Sequence, residues 1–112
     1  MSEFVEYLTE VFEHFGPIHA KRMFGGYGIY RDDLMFDLVA DDVLYLKADV
    51  ASSQHFETRA LNAFEYVKSG KKIRMSCFLA PEEIFDDKGE AKIWANRAYE
   101  AALQSKKQKQ RK

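Results

Sequence analysis

The stretch GYGIYRDDLMFDLVADDVLYLKA, from Gly26 to Ala48, holds three apolar runs, Gly26–Tyr30, Leu34–Ala40 and Val43–Ala48. Arg31-Asp32-Asp33 and Asp41-Asp42 separate them. Connections this short join only antiparallel neighbours, because a parallel pair needs a crossover of a dozen residues or more. Aspartate tolerates the positive φ of a tight hairpin turn, although glycine adopts it more easily. Leu34, Phe36, Leu38 and Ala40 alternate with Met35, Asp37 and Val39, which predicts a strand with one fully apolar face and one mixed face. The stretch therefore reads as an antiparallel meander.

On the N-terminal side, Ser2–Phe15 is an amphipathic helix. Phe4, Val5, Leu8, Val11, Phe12 and Phe15 fall in one sector, and Glu3, Glu6, Glu10 and Glu13 fall opposite. Ser2 is its N-cap, and Gly16-Pro17 stops it. On the C-terminal side, Asp49–Arg59 reads as a short helix with Asp49 as N-cap and Phe56 as anchor. Phe64–Val67 and Lys72–Leu79 read as a second hairpin around Ser69-Gly70. Pro81 opens a short helical turn. Asp87 and Glu90 form a capping-box pair for a last helix to about Gln104. Its inward sector is Ala91, Trp94, Ala95, Ala98, Ala101 and Ala102. The predicted fold is α+β, an antiparallel sheet with helices on one face, in the order α-β-β-β-α-β-β-α.

The chain has 112 residues, 46% of them hydrophobic, with nine Phe, six Tyr and one Trp, enough to build one autonomous core. The single cysteine, Cys77, has no intramolecular partner, which fits a reducing compartment. The first helix carries four glutamates and no Lys or Arg, unlike a targeting segment, and no uncharged run approaches the ~18 residues of a membrane span. A cytoplasmic protein without membrane contact is the resulting expectation. Residues 105–112, SKKQKQRK, carry five positive charges and leave residues 1–104 at −6, against a net −1. The division expected is a domain over 1–104 and a frayed basic tail over 105–112, in which Lys106, Lys107, Lys109, Arg111 and Lys112 offer polyanion contacts.

The chemistry-bearing residues do not assemble into a catalytic signature. Cys77 lies in an apolar strand with no local base, so a buried structural thiol is expected there. His14, His19 and His55 give no ligand pair at helical spacing, and Asp86-Asp87-Lys88-Gly89-Glu90 lacks the alternating oxygens of a calcium loop. No metal, cofactor or catalytic residue is expected. The glycines of Phe24-Gly25-Gly26-Tyr27-Gly28 match neither a dinucleotide fingerprint nor a phosphate loop. They imply a bend, a bulge or a close backbone approach. Two candidate interaction patches follow. One is Phe24, Tyr27 and Tyr30 along a groove, and the other is Lys68, Lys71, Lys72 and Arg74 at the basic hairpin tip. The hairpin with the tail gives an alternative reading as a nucleic-acid-binding accessory. A homodimer is open beside a monomer, since small sheets have edges to cover.

The run Arg22-Met23-Phe24-Gly25-Gly26-Tyr27-Gly28-Ile29-Tyr30 resembles the hallmark of the TfoX/Sxy competence-regulator family, in its N-terminal domain. Leu38-Val39-Ala40-Asp41-Asp42, Leu44–Asp49, Phe64-Glu65-Tyr66, Pro81-Glu82-Glu83 and Trp94-Ala95 follow in the family's order. Ala60 and Asp33 stand where the family commonly has glycine. The resemblance implies a secretion-chaperone-like α+β fold and a non-enzymatic role in transcriptional control of DNA uptake. It also implies a protein partner of the cyclic-AMP receptor protein type. Full-length members carry a second, helical C-terminal domain, so the chain is expected to act as a stand-alone N-terminal domain.

Overall fold

In a computed structural model, the described residues are 2–23 and 25–110, with side chains described through Lys107. Four strands run through the meander: β1 (His19–Met23), β2 (Gly26–Arg31), β3 (Leu34–Ala40) and β4 (Val43–Lys47). The second hairpin supplies β5 (Ala63–Lys68) and β6 (Lys71–Leu79). They form one antiparallel sheet in the order β1-β2-β3-β4-β6-β5. Helices α1 (Glu3–Val11), α2 (Val50–Glu57) and α3 (Lys88–Gln110), with a 3-10 turn over Glu82–Phe85, complete an α+β fold.

The turns follow from their residues. Asp32 and Asp33, Asp41 and Asp42, and Ser69 and Gly70 all have φ between 51° and 77°. Paired left-handed residues twist a two-residue hairpin in the sense that strands require. The helix caps follow as well. Ser2 accepts from the Val5 backbone at 3.2 Å. Asp49 and Ser52 form a reciprocal capping box, whose backbone hydrogen bond from Ser52 holds the Asp49 carboxyl below its ordinary value. Only half of the box expected at α3 exists. Asp87 accepts from the Gly89 and Glu90 backbones, but its own N–H donates to the Glu83 carbonyl.

The apolar sectors converge as expected. Val5, Leu8, Val11, Phe12 and Phe15 of the N-terminal segment are buried, as are Ala91, Trp94, Ala95, Ala98, Ala101 and Ala102 of α3. All these helices pack on one side of the sheet. Phe12 meets Phe36 of β3 at 5.9 Å between ring centroids, Tyr99 meets Phe36 at 6.1 Å, and Phe56 stacks on Phe78 of β6 at 5.1 Å. The small residues of α3 allow this close approach, and Trp94 fills the space beside Phe56.

Four differences from the sequence reading have physical causes. A strand precedes the three expected ones, so the order is α-β-β-β-β-α-β-β-α; β1 is an edge strand whose residues, HAKRM, carry little apolar signal. The first helix stops at Val11, and Phe12–Phe15 continue as turns. Helix α3 continues past Gln104 to Gln110, because Lys and Gln are good helix formers and no Gly or Pro interrupts. Lastly, a register shift between Ile29 and Tyr30 leaves Phe36 as an extra residue in β3. After such a bulge, two successive residues face the same side. Phe36 and Asp37 therefore both belong to the helix side, and Leu38 turns to the other face, which overturns the simple alternation expected.

Helix α2 ends in a Schellman motif built on the wrong residue. The Leu61 N–H donates to the Phe56 carbonyl, and the Ala60 N–H donates to that of Glu57. Ala60 thus takes the left-handed position with φ of 55°, where glycine pays no Cβ penalty. Ala60→Gly is expected to stabilise the protein by about 1 kcal/mol, seen as a higher urea midpoint with an unchanged slope.

Candidate functional site

Among the described residues, the helices clad one sheet face and leave the other bare. Register places Lys21, Gly28, Leu38, Tyr45 and Leu79 in one cross-strand row on the bare face. A second row holds His19, Tyr30 and Met35. Towards the far edge, Phe64 lies 4.9 Å from Tyr45 and 6.1 Å from Tyr66, so the aromatic surface continues onto β5. None of Tyr30, Met35, Leu38, Tyr45 or Phe64 belongs to the helix-side core. They are half-buried by one another, with Leu38 and Cys77 sunk to the floor.

Charge on this face has one sign. The alternation puts His19, Lys21, Lys47, Lys68 and Lys71 on it, and no Asp or Glu among the described strand residues. Tyr30 carries two of these groups: the His19 ring stacks on it at 5.5 Å, and Lys21 Nζ sits 4.8 Å from its centroid. Gly28 lies between two thioethers. A Cβ built there would sit 2.6 Å from Met23 Sδ and 2.7 Å from Met35 Sδ. Both methionines therefore lie flat across the strand.

The residues singled out from the sequence are divided by this geometry. Tyr30 is on the bare face, but Tyr27 points to the helix side, with Arg22 6.0 Å from its ring. Phe24 lies outside the described residues, as do Arg111, Lys112 and the side chain of Lys109. Lys106 and Lys107 extend α3 as exposed residues. In the β5–β6 hairpin, Lys68 and Lys71 are on the bare face, while Lys72 and Arg74 project to the helix side. Lys72 reaches Glu65 at 3.9 Å, and Arg74 lies 5.6 Å from the Phe78 ring. The two aromatic and basic patches stand at opposite ends of the sheet. Sequence reading passed over Lys21, Lys47, Met23, Met35 and Tyr45. The available signal was period two in Val43–Lys47, read against a helix-facing Leu44 and Leu46.

Other features bear on chemistry. An open cleft of about 840 Å³ lies between α2, α3 and β6, lined by residues including Val50, Arg74, Phe78, Ala101 and Gln104. Lys47 and Met75 line it too. Cys77 is buried as expected, and burial pushes its thiol up to about 11, with Lys47 pulling weakly the other way and Asp37 adding to the rise. The histidines have separate settings: His14 is exposed, His19 stacks on Tyr30, and His55 meets Trp94 edge-on. Among the described residues, no three of His, Cys, Asp and Glu are grouped to hold a metal.

Asp37 stands apart. It is fully buried, it pairs with Ile29 and Leu46, both at the centre of the helix-side core, and neither carboxylate oxygen has a hydrogen-bond partner. Burial raises its carboxyl well above the ordinary value. A side chain so placed serves no partner on the bare face.

DNA transformation protein TfoX1 of Aliivibrio fischeri is 32% identical over 68 residues, which cover 61% of this chain and 32% of the relative. Protein Sxy of Escherichia coli is 27% identical over 101 residues, covering 90% of this chain and 46% of the relative. The chain thus spans less than half the length of these curated relatives. The family model of the TfoX N-terminal domain matches residues 10–102, from the end of α1 through the packed part of α3. That span takes in the whole sheet, both of its faces and the helices that clad one of them. The chain belongs to the TfoX N-terminal domain family.

Proposed function

We propose that the chain is a non-catalytic regulatory module, which contributes to transcriptional control of DNA uptake by binding another protein. The observation that carries this reading is the bare sheet face, a contiguous apolar surface with a basic rim that no helix of the described residues covers. Surfaces of that kind on a small folded domain are interaction sites more often than catalytic ones. The name of one relative, DNA transformation protein TfoX1, supports the biological setting. By the family resemblance, the partner is an activator of the cyclic-AMP receptor protein type. The module's contribution is recognition, with the helix-clad core holding the face rigid.

Deleting the gene in a naturally transformable host and counting uptake-gene transcripts tests the setting. Titrating the purified chain against the host's activator by calorimetry tests the partner. Lower transcripts, restored by the wild-type chain, and saturable binding are the expected results. Unchanged transcripts and unchanged transformation frequency after deletion would overturn the reading.

A further inference from the structure

We infer that the bare sheet face is a docking surface for an acidic amphipathic helix of a partner protein. The inference rests on the protein-binding reading above and names the chemistry of what is bound.

Three properties of the face select this occupant. Its surface is aliphatic and aromatic together, with half-buried Leu79, Tyr45 and Phe64 contiguous over the buried Leu38, so the partner must present an apolar stripe. An amphipathic helix laid on the sheet supplies one, and completes a layer opposite the one that α1 and α3 already form. Next, every Lys, Arg, His, Asp or Glu among the described strand residues there is basic, although residues 1–104 as a whole carry −6. Lys21 and His19 sit at the β1 edge, Lys68 and Lys71 beyond β4 at the far side, and Lys47 at one end. Carboxylates flanking the apolar stripe of a helix would meet them. Finally, two methionines, Met23 and Met35, lie on this face beside Gly28. Thioethers are flexible and polarisable, and they suit a surface that moulds itself to a partner's side chains. Gly28 leaves room for both to lie flat, and they can move aside when a partner seats.

The same properties disfavour other occupants. A second copy laid face to face would set lysine against lysine. A nucleic acid would satisfy the lysines and stack on the tyrosines, but it has nothing to place against Leu79 and the methionines.

The test uses the full chain and three fluorescent probes, read by anisotropy over a range of salt. One is a helical peptide with Leu and Phe at i, i+3, i+4 and i+7 and Glu elsewhere. The second has Lys in place of every Glu, and the third is a single-stranded oligonucleotide of equal charge. The acidic peptide is expected to bind at least about tenfold more tightly than its basic counterpart, with affinity falling as salt rises. Lys21→Glu with Lys47→Glu should weaken it by about tenfold or more and leave the melting temperature unchanged, since these are surface groups. Leu38→Ala is the less useful variant because it also opens the floor. Equal affinity for both peptides would overturn the inference. So would an oligonucleotide that binds more tightly and displaces the peptide, or sedimentation showing a dimer that the double reversal dissociates. Loss of peptide preference with intact binding to the host activator sinks the face assignment alone. A peptide preference without any effect on uptake-gene transcripts sinks the regulatory reading instead.

Discussion

Asp37→Val is expected to raise stability by about 2–3 kcal/mol at pH 7.5, and by much less at pH 4. Asp37 is 0% exposed between Ile29 and Leu46, with both carboxylate oxygens unpaired. An ionised carboxylate there has no compensating donor, so burial favours the protonated form and lifts its pKa well above the ordinary value of 3.8. The unfolded chain still ionises near 3.8. Below that value both states hold the proton, and stability carries no ionisation penalty. Between the unfolded and folded values only the unfolded chain is ionised, so unfolding releases a proton and stability falls as pH rises. The slope is about 1.4 kcal/mol per pH unit until the raised folded value is reached, after which the loss is constant.

Valine removes the titrating group, suits a strand position and nearly matches the volume. Asp37→Asn separates the two parts of the effect: it abolishes the titration but keeps an unsatisfied polar group, so it should flatten the pH dependence with a smaller gain. Surface pairs such as Glu13 with Lys88 titrate in the opposite sense, since hydrogen bonding to Lys88 lowers the Glu13 carboxyl. They are common to all three proteins and cancel in the differences. Urea titrations from pH 4 to 8 decide the matter. Parallel stability curves for wild type and Asp37→Val would mean that Asp37 is not held protonated in the core. Peptide binding on the bare face should survive both substitutions, because Asp37 lies on the other side of the sheet.

Much of this fold was legible wherever one residue's chemistry determines the local backbone. Aspartate pairs at 32–33 and 41–42 marked the hairpins because short polar side chains tolerate left-handed φ. Ser2, Asp49 and Asp87 marked helix starts, and the alanines around Trp94 marked the stripe of α3 that packs. What escaped depends on pairing between distant residues. The bulge at Phe36 is set by how β3 meets β2, and nothing in LMFDLVA announces it. It decides that Asp37 enters the core and Leu38 leaves it, so alternation alone assigned both to the wrong faces. The site was less legible for the same reason. Lys68 and Lys72 are neighbours in sequence but sit on opposite faces, whereas Lys21 and Lys47, distant in sequence, share one. Charge clusters read along the chain cannot separate these cases until register is known.

Gly26→Ala is expected to cost about 3–4 kcal/mol, a large part of the 5–15 kcal/mol that a domain of this size possesses. At Gly26 the two strands approach so closely that a Cβ would collide with the Val39 carbonyl oxygen, and it would lie 3.1 Å from Val39 C and 3.3 Å from Ala40 Cα. All three are backbone atoms in the middle of the sheet. Relief requires β2 to move off β3 at Tyr27↔Val39, next to the Leu44 that Val39 pairs on its other side. Gly28, two residues on, provides the comparison. A Cβ there meets Met23 Sδ, Met35 Sδ and Tyr30 Cε1, all ends of side chains that can swing away. Gly28→Ala should therefore cost no more than about 1 kcal/mol while disturbing the methionines of the bare face. The pair makes opposite demands. Gly26→Ala lowers the urea midpoint strongly, and its folded fraction still binds an acidic peptide. Gly28→Ala changes stability little and weakens that binding. Equal losses of stability at the two positions would show that β2 and β3 do not make the close approach that sets Gly26 apart from its neighbours.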